Sequence, residues 1–145
     1  MGAGDLGELP GWATELLEEA RVAHLGMLDD RDRPRVLPVT FVVAGAAVYS
    51  AVDEKPKTVP ATELARIRFL RRRPEAALTV DRYHEDWSRL AWVQVLGRVA
   101  IIDASARADA LDALRAKYPA YRERPPGGPL LELAPERALH WRAAG

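Results

Sequence analysis

The run Leu90-Ala91-Trp92-Val93-Gln94-Val95-Leu96-Gly97-Arg98-Val99-Ala100-Ile101-Ile102-Asp103 decides the fold. Read as a strand, it puts Trp92, Gln94, Leu96 and Arg98 on one face. Val93, Val95, Val99 and Ile101 fall on the other. The β-branched face belongs in a core. A Trp–Gln–Arg face does not, unless it lines a groove or a subunit interface. Gly97 interrupts the run and marks a bulge.

Other strands flank this one on both sides. Glu75 to Tyr83 precedes it, across the polar loop His84-Glu85-Asp86-Trp87-Ser88-Arg89. Further upstream, Arg21 to Leu28 alternates, with His24, Gly26 and Leu28 opposite Ala23, Leu25 and Met27. A turn at Asp29–Pro34 leads into Arg35–Val43, which is rich in β-branched residues. A tight turn at Ala44-Gly45 then precedes a strand over Ala46–Val52. Downstream, Leu130 to Trp141 forms a last strand, which Pro135 is expected to break or confine to an edge. Amphipathic patterns predict helices over Trp12–Ala20, Thr62–Arg73 and Ala106–Tyr118, the second stopped by Pro74. The sum is six mainly antiparallel strands and about three helices, with the sheet expected to close into a barrel and so lose its edges. Residues 1–10 are Gly-rich and expected to be flexible, leaving 11–145 as one domain.

Composition narrows the chemistry. Acids and bases balance at 21 each, which disfavours bulk attraction to nucleic acid. The absence of cysteine excludes disulfides, thiolate metal sites and a cysteine nucleophile. No signal peptide or membrane-length apolar run is present, so a cytoplasmic protein is expected. The three histidines, His24, His84 and His140, lack metal-ligand spacing. The serines Ser50, Ser88 and Ser105 lack a nucleophile motif.

The bases are distributed unevenly. Of only three lysines, Lys55 and Lys57 sit together in Asp53-Glu54-Lys55-Pro56-Lys57-Thr58, between a predicted strand and a predicted helix. Free N–H groups at a helix start, the positive end of its dipole and two ammonium groups suit a phosphate. A solvated turn with Glu54 offsetting one lysine is the plainer reading. On the long strand, Trp92 and Gln94, with Trp87 just before, would sandwich a flat heteroaromatic ligand and bond its edge. A contact between two copies of the chain would use the same face.

In order and content these segments resemble the pyridoxamine-5'-phosphate-oxidase-like split β-barrel proteins, over roughly residues 12–142. Arg35-Val36-Leu37-Pro38-Val39 resembles that family's segment along the flavin ring. Tyr49-Ser50 with the lysine loop resembles its phosphate-binding stretch, and Trp92 to Gly97 its motif that meets the ring across a dimer interface. Ala51-Val52-Asp53-Glu54-Lys55-Pro56-Lys57 and Asp86-Trp87-Ser88-Arg89-Leu90 resemble a subgroup that uses the deazaflavin coenzyme F420. The Arg-x-His motif of true pyridoxamine oxidases is not matched by Arg137-Ala138-Leu139-His140-Trp141.

The resemblance implies a homodimeric oxidoreductase with cofactor sites at the subunit interface. It would reduce a conjugated or heteroaromatic small molecule with F420 and need no catalytic side chain or metal. Solvent or Tyr49 would supply a proton. Lys55, Lys57 and Thr58, near Ser50, would hold the phosphate. Val36, Pro38 and Thr40 would floor the ring, and Trp87, Arg89, Trp92 and Gln94 would wall it. Arg71, Arg72 and Arg73 would attract the cofactor's glutamate tail. The alternatives are an FMN-dependent oxidoreductase, or a non-catalytic module holding a flavin, a deazaflavin or haem, the last with His24 or His140 as axial ligand.

Overall fold

The computed structural model describes residues 6–52 and 64–144. The lysine loop, with Lys55, Lys57 and Thr58, lies outside the described residues. Among those described, seven strands run as β1 (Ala23–Leu28), β2 (Pro34–Val39), β3 (Val42–Ala44), β4 (Ala47–Ala51), β5 (Glu75–Arg82), β6 (Ala91–Ile102) and β7 (Leu130–Arg142). Four helices join them: α1 (Gly11–Glu19), α2 (Ala65–Arg72), α3 (Ala108–Lys117) and the short α4 (Pro119–Glu123). Leu6–Glu8 form a 3-10 turn whose Leu6 is buried in the core.

All seven strands form one antiparallel sheet in the order β2-β1-β5-β6-β7-β4-β3. The edge strands β2 and β3 lie six places apart in that order, yet only Thr40 and Phe41 separate them in the chain. The sheet must therefore curl until its edges meet at this corner. Among the described residues no ladder joins β2 to β3, so the sheet curls without closing fully, as in the split barrel that the resemblance implied. The count of six strands is corrected for the same reason. Arg35–Val43 is two strands, because the Phe41 N–H is taken by the Tyr118 hydroxyl at 3.1 Å instead of a neighbouring strand.

The inside of the curl holds the main core, with Leu25, Met27, Phe41, Leu78, Val80, Val93 and Val95 all nearly free of solvent. α1 and α2 cap it with Leu16, Leu17, Ile67 and Leu70. β6 alternates as its sequence predicts, odd positions buried and Trp92, Gln94 and Leu96 half-buried outside. A second, smaller core lies on the outer face, where Ala110, Leu114 and Tyr121 of α3 and α4 cover Val42, Tyr49, Ala51 and Leu130.

The Gly97 bulge is present as a register shift between Leu96 and Gly97 against β7. A Cβ there would stand 2.9 Å from the Ala134 carbonyl carbon and 3.1 Å from the Pro135 Cα, so only glycine fits this approach. Pro135 is the partner of Gly97, and β7 runs through it unbroken, so of the two expectations the break is corrected and the edge position holds. Pairing of β7 with β4 ends at Leu133, so at Pro135 no ladder bond on that side is lost. The β3–β4 turn is Gly45-Ala46, one residue later than its sequence suggests, with Gly45 at φ 59°.

Candidate functional site

Half of the outer sheet face carries no helix. Register places its residues in rows. One row runs Pro38, His24, Thr79, Gln94, Leu139 across β2, β1, β5, β6 and β7. The next runs Val36, Gly26, Ala77, Leu96, Arg137. Trp92 stands between Asp81 and Trp141 in a third row. The middle of the second row is Gly26 and Ala77, the two smallest side chains on this face. They leave a shallow trough between Val36 and Leu96. A Cβ built at Gly26 meets nothing closer than the Ala77 carbonyl at 3.6 Å. The trough is largely apolar. Val36 is 67 % exposed and Trp141 45 %, although both are large and apolar.

The polar groups on this face are few. The Gln94 amide donates to the Thr79 hydroxyl at 3.0 Å, which leaves its carbonyl free to accept and fixes the plane of the amide. His24 makes no side-chain hydrogen bond among the described residues and projects from the same row. Among the described residues no group of three or more His, Cys, Asp or Glu could hold a metal. No helix among them is long and apolar enough to cross a membrane.

The structure brings Val36, Pro38, Trp92 and Gln94 together on this face. It does not bring Thr40 there. β2 ends at Val39, and the Thr40 hydroxyl lies 2.7 Å from the Tyr121 hydroxyl at the corner. Ser50 points inward from β4 and donates to the Thr40 carbonyl at 2.6 Å, tying β4 to that corner. Trp87 and Arg89 occupy the β5–β6 hairpin in a 3-10 turn capped by Asp86, whose carboxyl the Ser88 hydroxyl and N–H hold below its usual range. Trp87 is 68 % exposed, its indole N–H 3.4 Å from the Tyr83 hydroxyl.

Tyr49 is withdrawn from any role as a proton source on the open face. It lies under α3, donates to Glu132 Oε2 at 2.7 Å and receives Arg107 Nε at 3.3 Å. Burial, then the Glu132 contact, pushes its hydroxyl above its ordinary range. His140 pairs with Val93 and packs edge-on to Trp12, on the core side of the sheet rather than the open side. His24 is thus the histidine that shares the open face.

The arginines of α2 are largely committed. Arg72 and Arg73 reach Asp32 at 2.8 and 3.0 Å, Arg73 also meets Glu75, and Arg68 reaches Asp30 at 3.3 Å. The bond from Arg72 holds the Asp32 carboxyl below its usual range. Sequence reasoning missed this acidic turn as the partner of α2, because Asp29–Asp32 and α2 are some forty residues apart. It also missed Thr79, Leu139 and Trp141, which join the site only through strand register.

Comparison with known proteins agrees with this architecture. Residues 12–138 match the family described as pyridoxamine 5'-phosphate oxidase, and the chain belongs to that family. No curated protein matches it. Among solved structures, a FAD-binding protein from Mesorhizobium loti is similar at 18% identity and TM-score 0.65, covering 91% of this chain and 94% of that one. A conserved hypothetical protein from Mycobacterium tuberculosis is similar at 12% identity and TM-score 0.74, covering 92% and 85%. A heme binding protein from Mycobacterium smegmatis is similar at 19% identity and TM-score 0.73, covering 94% of this chain but 56% of its own. At these identities the likeness is one of fold.

Proposed function

We propose that this chain is an F420-dependent oxidoreductase that works as a homodimer. The second copy would cover the open outer face and complete two cofactor sites. The observation that carries this reading is the Gly26–Ala77 trough. It would take a tricyclic ring, with Val36 and Pro38 on one side and Leu96 and the oriented Gln94 amide on the other. A flavin or deazaflavin ring fits that donor set, with one amide for its polar edge and apolar contact for its body.

When bound, the reduced deazaflavin supplies a hydride to a conjugated or heteroaromatic acceptor. The chain's part is binding, orientation and exclusion of water. Val36 and Pro38 would complete the floor under the ring on one side. Trp92, with Trp87 and Arg89 from the hairpin, would wall it, partly from the second copy. Lys55, Lys57 and Thr58 would hold the phosphate, on the strength of their sequence context alone. The deazaflavin preference rests on the Ala51–Lys57 and Asp86–Leu90 segments. FMN is the alternative on the same floor. A haem-holding module is a further reading, favoured by His24 on the open face and by the fold shared with a heme binding protein.

Titration with F420, FMN and haem separately, read by tryptophan fluorescence and by haem absorbance, tests these readings. Tight F420 binding that Lys55→Ala/Lys57→Ala weakens, with turnover of a heteroaromatic acceptor, supports the proposal. Preference for FMN moves the protein to the flavin branch. A low-spin haem spectrum lost in His24→Ala moves it to haem.

A further inference from the structure

At the β5–β6 hairpin end of the sheet, three arginines come together. Arg82, Ala91 and Arg142 are direct partners across β5, β6 and β7. They lie on the side of the sheet opposite Trp92 and Trp141, one residue on from the Asp81–Trp92–Trp141 row. With strands spaced about 4.8 Å apart, the two arginine backbones stand roughly 10 Å from each other, on either side of the buried Ala91. Arg89 approaches from the hairpin. These three, with Ser88, Leu90 and the backbone at 143–144, line an open cleft of about 470 Å³.

Arg82 and Arg142 are positioned by uncharged partners, and Arg89 lies beside an imidazole. Arg82 Nε donates to the Arg89 carbonyl at 2.9 Å. Arg89 Nη1 lies 3.2 Å from His84 Nε2. Arg142 lies over the Trp12 ring, 5.3 Å from its centroid. No ion pair neutralises any of the three among the described residues, and no carboxylate lines the cleft. Asp86 is near enough to Arg89 to feel its charge, but its Oδ1 is taken by the Ser88 hydroxyl and N–H. The contrast is with α2, where Arg68, Arg72 and Arg73 all meet carboxylates. Three guanidinium groups with no carboxylate partner suit an oxyanion, because the planar fork matches phosphate and carboxylate oxygens in pairs.

We propose that this cleft binds the phosphate or carboxylate group of a small molecule, at a site by the β5–β6 hairpin, beyond the Asp81–Trp92–Trp141 row. The volume exceeds that of a bare anion and suits a small organic molecule. The site stands apart from the cofactor reading, although Arg89 borders both regions.

The test uses the full chain without cofactor, titrated with inorganic phosphate and separately with citrate at fixed ionic strength. Binding is followed by calorimetry and by the Nε–H resonances of the arginines. Saturable binding with shifts at Arg82 and Arg142 is expected, and Arg82→Gln/Arg142→Gln should weaken it by at least about tenfold. Phosphate preferred over citrate would identify a phosphorylated ligand, and the reverse a carboxylated one. Binding should persist in Lys55→Ala/Lys57→Ala. Absence of saturable binding for both probes overturns the proposal, as does affinity unchanged in the arginine variant. Should that variant fail to fold, the wild-type Nε resonances decide, and no movement at Arg82 and Arg142 overturns it.

Discussion

The Ser50 hydroxyl donates to the Thr40 carbonyl at 2.6 Å across the one corner where the sheet's two edges meet without a ladder. Ser50 is 4 % exposed, so water cannot readily replace it. Tyr121 and Tyr118 hold the same corner from outside, through the Thr40 hydroxyl and the Phe41 backbone. Ser50→Ala leaves the carbonyl short of a donor and should cost about 1–2 kcal/mol in unfolding free energy by urea titration. A loss near zero would show that the corner is held by the tyrosines alone.

Gly97 faces a backbone instead of a side chain, and backbone cannot swing aside. Gly97→Ala forces the Ala134–Pro135 segment of β7 away from β6, which displaces Arg137 and Leu139 on the open face. The expected loss is about 3 kcal/mol or more, above the usual cost of overpacking because the neighbour is main chain. Reduced cofactor affinity should accompany it. A variant as stable as the parent would mean that β7 can shift register at no cost.

Much of the fold was legible because its strands carry their faces in a period of two. The alternation of β6 from Ala91 to Arg98 and of β1 around His24, Gly26 and Leu28 needs no long-range information. What stayed hidden depends on pairing between distant segments. Nothing near Thr40 announces that Tyr118 and Tyr121 will end β2 there. Nothing near Pro135 announces Gly97, whose bulge lets β7 run on. The trough is a property of the register Val36–Gly26–Ala77–Leu96, four residues from four strands. Trp92 and Gln94 could be singled out because they are polar or aromatic on an outward face. Gly26 and Ala77 could not, since a small residue is informative only once its neighbours are known.

Lys117 gives the protein a pH dependence of determined sign. Its ammonium is half-buried over the Phe41 ring, 3.8 Å from the centroid, with the Leu17 carbonyl at 3.4 Å. Burial, then repulsion from Arg21, pulls its pKa down to about 8 from an ordinary 10.5. Between those values the unfolded chain holds more protons than the folded one, so stability rises with pH across that window. The cost of burying the charge is fully present below pH 8. Tyr49 and Tyr118, both held above their ordinary range, oppose any gain beyond about pH 10. The unfolding free energy of the parent minus that of Lys117→Met should therefore increase from pH 8 to 10. A flat difference would show Lys117 to be solvated.

Val36 separates folding from assembly. At 67 % exposure it contributes little to the fold of one copy, so Val36→Arg should change monomer stability by no more than about 0.5 kcal/mol. In a dimer that covers the open face, the same substitution would bury a charge beside Gly26 and Ala77, on a surface that offers it no acidic partner in its row. A buried charge without a partner costs several kcal/mol. Sedimentation should then show a dimer for the parent and a monomer for Val36→Arg. Cofactor affinity should fall with the dimer by at least about tenfold, since half of each site would be lost. Full affinity in a monomeric variant would place the cofactor on a single copy, with Val36 outside its floor. A parent that is itself monomeric would leave the open face for some other partner and remove the dimer from the proposed mechanism.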